Sequence, residues 1–483
     1  MEINPTAINS KHDRMVTNAK RPKVLIVGAG LAGLTLALLL QKANIPYEVF
    51  ERAQQIKPLG SAIVLTSQTS PLIRQLGLEE EFNSLSKVLT TINVGKENRQ
   101  IDFEIAVGSK DAIERFGSET RLIARPVLYD LLLRQIPKEH VHLGKKVLTT
   151  KQGGNGVLIR CSDGTEYEGD ILAGADGAHS AVRQNLYAVL KEENKLPQSD
   201  GEALPFINVC LVGQTRPLTV EEYPDIEKEE CQFNRVVGEN KPYAWGVFTT
   251  AQRTVAYSLV EFLSMETSKE DESFSNSEWG PEAAAVMCEQ VRDFPIIAGG
   301  DKKFTVGDLV DWTPKEYISK VMLEEKVFQT WGGCRTVLLG DACHKFNPSG
   351  GAGATNAMHD AVILANYIDA LPDHPTTDDI EKAFLAYKND RIQWVEDVFE
   401  QSKLFRSMVD RGIKATIVRF ILKYAPAAVM KARNERQASY KPQAAFLPLD
   451  EVDPLVKAVY QPSLHAKAQA RERIAQEKSA SSL

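Results

Sequence analysis

At 483 residues, 43% of them hydrophobic and 25% charged, the chain is long enough for two or three domains and has the balance of an ordinary globular protein. Its net charge of -7 gives no electrostatic reason to expect a nucleic-acid partner. The six cysteines form no C-x-x-C pair and the eight histidines show no metal-ligand spacing, so reduced thiols in an intracellular compartment are expected, without a disulfide framework or a metal.

Residues 1–22 are polar and lack an apolar run, which reads as a disordered leader rather than a secretion signal. Glu2 and Asp13 also interrupt any transit-peptide pattern, and the cytoplasm is the expected compartment. The stretch Lys23 to Glu51 then reads as a buried strand (Val24 to Val27), a glycine turn (Gly28, Gly30, Gly33), a helix (Leu34 to Lys42) and a second strand (Tyr47 to Phe50) closed by an acid. Gly28 allows the sharp turn, Gly30 the approach of a pyrophosphate, and Gly33 close packing of helix on sheet. Amides at the helix start bind phosphate, and Glu51 stands where an acid accepts from an adenosine ribose. Leu31, Ala32 and Arg52 complete this candidate set. Glu51 in place of a basic cluster argues against a 2′-phosphate and leaves FAD or NAD as the tight ligand.

Gly60, Ser61 and Ala62 begin a segment of close backbone approach, followed by a helix near Ser70 and Pro71. Val88 to Arg121 has mixed strand character and could begin a second domain. Arg121 to Ile136 carries Pro126 at a first helical turn, with Leu128, Leu131, Leu132 and Ile136 at helical spacing and Arg125 placed to donate to a phosphate or a ring edge. Val141 to Asp170 alternates like two or three strands. In Ile171 to Arg183, ILAGADGAHSAVR, a small-residue turn lets Asp176, beside Gly177, approach a sugar, and Ser180 begins a helix.

From Glu202 to Val321 the chain reads as four strands (Phe206 to Val212, Gln232 to Val237, Ala244 to Thr250, Thr254 to Phe262), an acidic loop (Glu266 to Glu278) and a helix (Pro281 to Arg292). Phe233, Tyr243, Trp245, Phe248, Tyr257 and Phe262 are expected to form one wall of an apolar pocket. Arg335 to Ile368 adds a buried strand (Thr336 to Leu339), Gly340-Asp341, a glycine-rich turn and a helix. Asp341 can accept from a ribityl hydroxyl, and the amides of Gly351 to Thr355, among them Gly353 and Ala354, can lie against a flat ring. The tail from Ile380 is mostly helical. Gly412 to Ala432 is too charged to span a bilayer; it suits packing on the body or lying on a membrane surface, and packing is preferred. Ala468 to Leu483 is expected to fray.

With GAGLAG plus Glu51, GADGAHSAVR and GDACHKFNPSGGAGATNAMHDA in this order, the chain resembles the class A flavoprotein monooxygenases, the single-component FAD-dependent hydroxylases, and most of all their fungal secondary-metabolism branch. The tail SYKPQAAFLP is similar too. The resemblance implies an α/β architecture: a Rossmann-like FAD-binding domain of the glutathione-reductase type (23–200 and 322–395), an inserted mixed or antiparallel β-sheet substrate domain (201–321) and a helical C-terminal region (396–483). It implies that Gly28, Gly30 and Gly33 hold the FAD pyrophosphate and Glu51 the ribose. Arg125 and Asp341 would contact the pyrophosphate and ribityl region, Asp176 would serve both FAD and passing NAD(P)H, and Gly353, Ala354 and Thr355 would lie along the isoalloxazine.

The implied chemistry is hydroxylation or epoxidation of a small hydrophobic or aromatic substrate with NAD(P)H and O2, through a C4a-hydroperoxyflavin. No second G-x-G-x-x-G follows a strand, so NAD(P)H is expected to dock transiently. A halogenase would carry W-x-W-x-I-P, which is absent; a prenyl reductase or an oxidase stays open, as does a FAD-binding structural or regulatory protein. His179, His344 and His359 receive no catalytic role, and the catalytic residues are not named.

Overall fold

A computed structural model of the chain describes residues 21–472 apart from 56–59, 155, 240, 264–280, 349–350, 410–416, 418–419 and 421–426. Most of the expected leader, the acidic loop Glu266 to Glu278, most of Gly412 to Ala432 and the end of the tail therefore lie outside the described residues. Arg21, assigned to the leader, is instead held by Asp369 at 2.6 Å.

The apolar strand Val24–Val27 is buried along its whole length, which requires cover on both faces and suits the middle of a parallel sheet. It pairs in parallel with Tyr47–Glu51 on one side and Ile171–Gly174 on the other. The six-stranded sheet runs Gly332–Gly333, Thr336–Leu338, Ile171–Gly174, Val24–Val27, Tyr47–Glu51, Val141–Leu143, antiparallel only at its first pair. The helix after the glycine turn is Leu31–Lys42, three residues earlier than expected. Gly30 serves as its N-cap and Gly33 lies inside its first turn, against the Gly28 carbonyl. Asn44, at φ +55°, takes the left-handed position that ends it. Gly353–Asp369 packs alongside and is buried over nearly all its length.

The second large layer is a seven-stranded sheet in the order Ser319–Glu324, Phe206–Gln214, Val255–Phe262, Tyr243–Thr249, Phe233–Val237, Thr91–Gly95, Ile101–Ala106. All neighbours are antiparallel except Phe233–Val237 with Thr91–Gly95. The four strands expected between 206 and 262 are present within two residues of their expected ends. Two more come from residues 91–106 and another runs to Glu324, so the division at 200 and 321 does not follow the sheet.

Side-chain alternation gives this sheet two faces. Leu211, Trp245, Val247, Tyr257 and Leu259 point to the rear, where helices Pro281–Gln290 and Val306–Asp311 cover them, and the Trp245 indole donates to the Pro295 carbonyl at 2.8 Å. Trp245, Tyr243 and Tyr257 are thus ordinary core rather than pocket wall. Phe233 and Phe248 point forward, edge to face with centroids 4.5 Å apart, and join Ala62 and Val64 of the strand Ala62–Leu65.

The helical tail begins with Thr377–Val409, earlier than residue 396. Between the helix Ala427–Ala438 and the helical turns that begin at Pro462 the chain runs as an irregular strap over the body. The Ala444 amide donates to the Gln75 side-chain oxygen at 2.8 Å, Asp450 pairs with Arg74 at 2.5 Å, and the amides of Leu455 and Val456 donate to the Glu114 and Arg115 carbonyls.

Candidate cofactor site

Three turns that are far apart in sequence meet at the carboxyl ends of the parallel strands. Gly28, at φ +103°, lies so close to the second turn that a Cβ there would stand 2.8 Å from the Asp176 Cα. Gly340 presses on the first turn and on the following helix, since its Cβ would fall 3.1 Å from the Ala32 Cβ and 3.4 Å from the Ala357 Cβ. Arg183 clamps the second turn to the third: its guanidinium donates to the Ala342 carbonyl at 2.9 Å and the Ala178 carbonyl at 2.5 Å, and lies 4.2 Å from the Phe328 ring centroid.

The cradle offers what a dinucleotide with a flat ring needs. Helices Leu31–Lys42 and Gly353–Asp369 both start without a side-chain cap, leaving first-turn amides free for an anion or a ring edge. A Cβ on Gly177, Gly351 or Gly353 would meet no atom within 4 Å, so these turns border open space. The Ser61 hydroxyl is buried and has no partner among the described residues, an unmet donor beside the same space. Arg125, exposed at the start of helix Arg125–Leu133, has no ion-pair partner among the described residues. Gly60, at φ +112°, lies beneath it, and a Cβ there would stand 2.7 Å from the Arg125 Cδ. Free amides, one cation, an unmet hydroxyl and unobstructed glycines fit FAD.

The candidate acids have structural partners of their own. Glu51 accepts from the Ala29 amide at 3.0 Å and the Ala53 amide at 2.9 Å, which fixes the glycine turn to the strand end. Arg52 next to it is exposed. Asp176 receives the Ser180 hydroxyl at 2.5 Å on Oδ1 and the Ala181 and Val182 amides at 2.7 Å and 3.2 Å on Oδ2, so one oxygen holds the N-cap residue and the other satisfies the first amides of helix Ala181–Glu192. Burial raises its pKa against the pull of these donors. Asp341 pairs with Lys345, and Thr355 is buried in the first turn of its helix. Tyr129, which the sequence did not single out, donates to the Ala29 carbonyl; burial and neighbouring Glu51 push its phenol well above the ordinary range.

A buried polar network also went unread. Asp360 accepts from Arg391 at 2.7 Å, from the Gly340 amide at 2.9 Å, and shares a 2.6 Å hydrogen bond with His344. Arg391 continues to the Asn356 side-chain oxygen at 2.8 Å and the Tyr440 hydroxyl at 3.1 Å. Burial alone would raise the Asp360 pKa, but His344 and Arg391 outweigh it and hold the carboxyl at about 2. This charge therefore sits under Gly340 and fixes the third turn. Cys343, His344 and Asp360 bring ligand atoms within 4.8 Å of one another, yet the bonded Arg391 opposes a cation there. His179 lies 3.3 Å from Glu324 and His359 lies 3.3 Å from the Gln68 carbonyl.

The FAD binding domain family model matches residues 21–201 and 305–402, more than half of the chain. This chain belongs to that family. It is 29% identical over 448 residues to the FAD-dependent monooxygenase ausM of Penicillium brasilianum, covering 90% of this chain and 89% of that protein. The FAD-dependent monooxygenase esdpE of Penicillium shearii is 29% identical over 400 residues, covering 80% of this chain and 78% of that protein. Among solved structures, HpxO of Klebsiella pneumoniae complexed with FAD and uric acid superposes with a TM-score of 0.62 at 20% identity, covering 87% of this chain and 93% of that one. The chain is an FAD-dependent monooxygenase with the α/β architecture the resemblance implied.

Proposed function

We propose that this enzyme uses NAD(P)H and O2 to hydroxylate or epoxidise a small, largely apolar metabolite in the space between the glycine turns and the forward face of the seven-stranded sheet. The convergence of the three turns on one open cradle carries this reading. Bound FAD supplies reduction by nicotinamide and activation of oxygen. The residues around it bind and orient: the amides of Leu31 and Ala32 with Arg125 hold the pyrophosphate, Glu51 uses its remaining lone pairs for the ribose, Asp341 takes the ribityl chain, and Gly353 to Thr355 lie along the ring. Asp176 acts by holding its turn in shape. The forward face, packed by Phe233 and Phe248, excludes water from the reacting region.

Among the described residues no helix is long and apolar enough to cross a membrane. Exposed Ile417 and Val429 give the C-terminal region an apolar surface suited to peripheral contact, which vesicle flotation tests. The function itself is tested by supplying purified, FAD-loaded protein with NADPH or NADH, labelled O2 and a panel of phenols, indoles and prenylated aromatics. Nicotinamide oxidation accelerated by one compound, with one labelled oxygen atom in its product, is expected. Product formation without label would replace the reading with an oxidase.

A further inference from the structure

The sheet touches the cradle at two places. At one, Phe248, Ala256 and Phe233 pack on Ala62 and Val64, next to Ser61; at the other, Glu324 bonds His179, two residues after Gly177. Strand register places two forward-facing rows between these contacts. One row contains Val212, Ser258, Gly246 and Arg235; the next contains Cys210, Val260 and Ala244. Small residues dominate both rows, so little side-chain bulk projects from them, although the Phe233 ring lies against Gly246.

Arg235 breaks this pattern. Among the forward-facing positions of the strands Phe206–Gln214, Phe233–Val237, Tyr243–Thr249 and Val255–Phe262, no other residue is charged. Gly246 stands directly across from it, so the neighbouring strand puts no side chain in its way. Its guanidinium has neither a hydrogen bond nor an ion pair among the described residues, whereas the buried Arg183 and Arg391 each have several partners. Arg235 is closely surrounded by protein yet keeps some accessible surface, so an anion entering the space before it would meet a partly desolvated cation that no side chain among the described residues has neutralised. Burial lowers its pKa to about 10, which still leaves it charged at neutral pH.

We propose that Arg235 is a specificity-determining residue that anchors an acidic oxygen of the substrate, a phenolate or an enolate, while the apolar remainder of the molecule lies over the small residues beside it. The inference rests on the monooxygenase reading and adds the substrate class: an otherwise apolar molecule carrying one ionisable hydroxyl on an unsaturated ring. A guanidinium suits this task because its planar donors grip an oxygen anion from a fixed direction and present the adjoining ring carbon to the cofactor in one orientation.

The test uses FAD-loaded wild type, Arg235→Gln and Arg235→Lys, titrated with triacetic acid lactone, an acidic enol, and with its methyl ether, binding being read from perturbation of the flavin absorbance. The lactone is expected to bind roughly ten- to a hundredfold more weakly to Arg235→Gln and by a smaller factor to Arg235→Lys, with the ether unchanged in all three proteins. Wild-type affinity for the lactone in Arg235→Gln, equal loss of lactone and ether, or no lactone binding to wild type would each overturn the inference. If Arg235→Gln does not fold, selective loss of the lactone in Arg235→Lys decides. Wild type that retains FAD and is reduced by NADPH while the lactone results fail leaves the enzyme reading standing and removes only Arg235. Wild type that holds no FAD removes both.

Discussion

The cradle and the forward face of the seven-stranded sheet differ in what they are made of. The cradle is built from backbone: crowded glycines such as Gly28 and Gly33 beside open ones such as Gly351 and Gly353, uncapped helix starts, and turns held by buried ion pairs. The forward face is built from side chains that alternate along strands and whose effect depends on which strand lies beside which. Backbone approach tolerates few residue types, so it leaves a mark in the sequence; the alignment of Gly246, Ser258 and Ala244 on one face leaves none until register is known.

That contrast can be broken at four places, in decreasing order of expected effect. Gly28→Val puts a branched side chain at φ +103° against the Asp176 backbone; a loss of about 3 kcal/mol or more is expected, with the yellow colour absent after purification, read by denaturant unfolding and flavin absorbance. Asp360→Asn leaves Arg391 buried without its counter-charge and should cost roughly 3 kcal/mol, with weakened FAD retention because Gly340 loses its anchor. The Asp360 pKa is held at about 2, so the stability it adds is complete above the unfolded carboxylate value near 4 and is lost as pH falls toward 2. The gap between wild type and Asp360→Asn should therefore narrow below pH ~4.

His359 sharpens the comparison from the other direction. Burial, with Arg391 adding to it, lowers its pKa to about 3, so the folded protein keeps it neutral where the unfolded chain protonates it, below about 6.5. Stability should fall as pH drops from about 6.5 toward 3, and His359→Gln should flatten that slope in thermal melts run from pH 7 to 5. Lys345→Met, which removes the partly exposed partner of Asp341, is expected to change stability by about 0–1 kcal/mol and to shift FAD affinity less than tenfold, measured by flavin fluorescence.

The parallel strands at Val24, Ile171 and Thr336 were legible because each is a short apolar run ending in small residues, and the cradle was legible because glycines cluster only where strands end. Arg183 lay inside a quoted motif without a role, since nothing local shows that its partner is the Ala342 carbonyl. Asp360, Arg391 and Tyr440 are spread over 80 residues of helix and strap, and each reads alone as an ordinary polar position. The aromatics between 233 and 262 split between two faces because the pleat, not their number, decides which way each points. The strand Thr91–Gly95 pairs with Phe233–Val237 across more than 130 residues of intervening chain, a pairing no local pattern announces.

The most direct measurement is a crystal structure of the protein with FAD bound. The pyrophosphate is expected over the Leu31 and Ala32 amides within reach of Arg125, and the flat ring along Gly353 to Thr355 facing the row that holds Arg235. Dinucleotide bound elsewhere, or with its ring turned away from that row, would contradict the convergence of the three turns as the site of the chemistry.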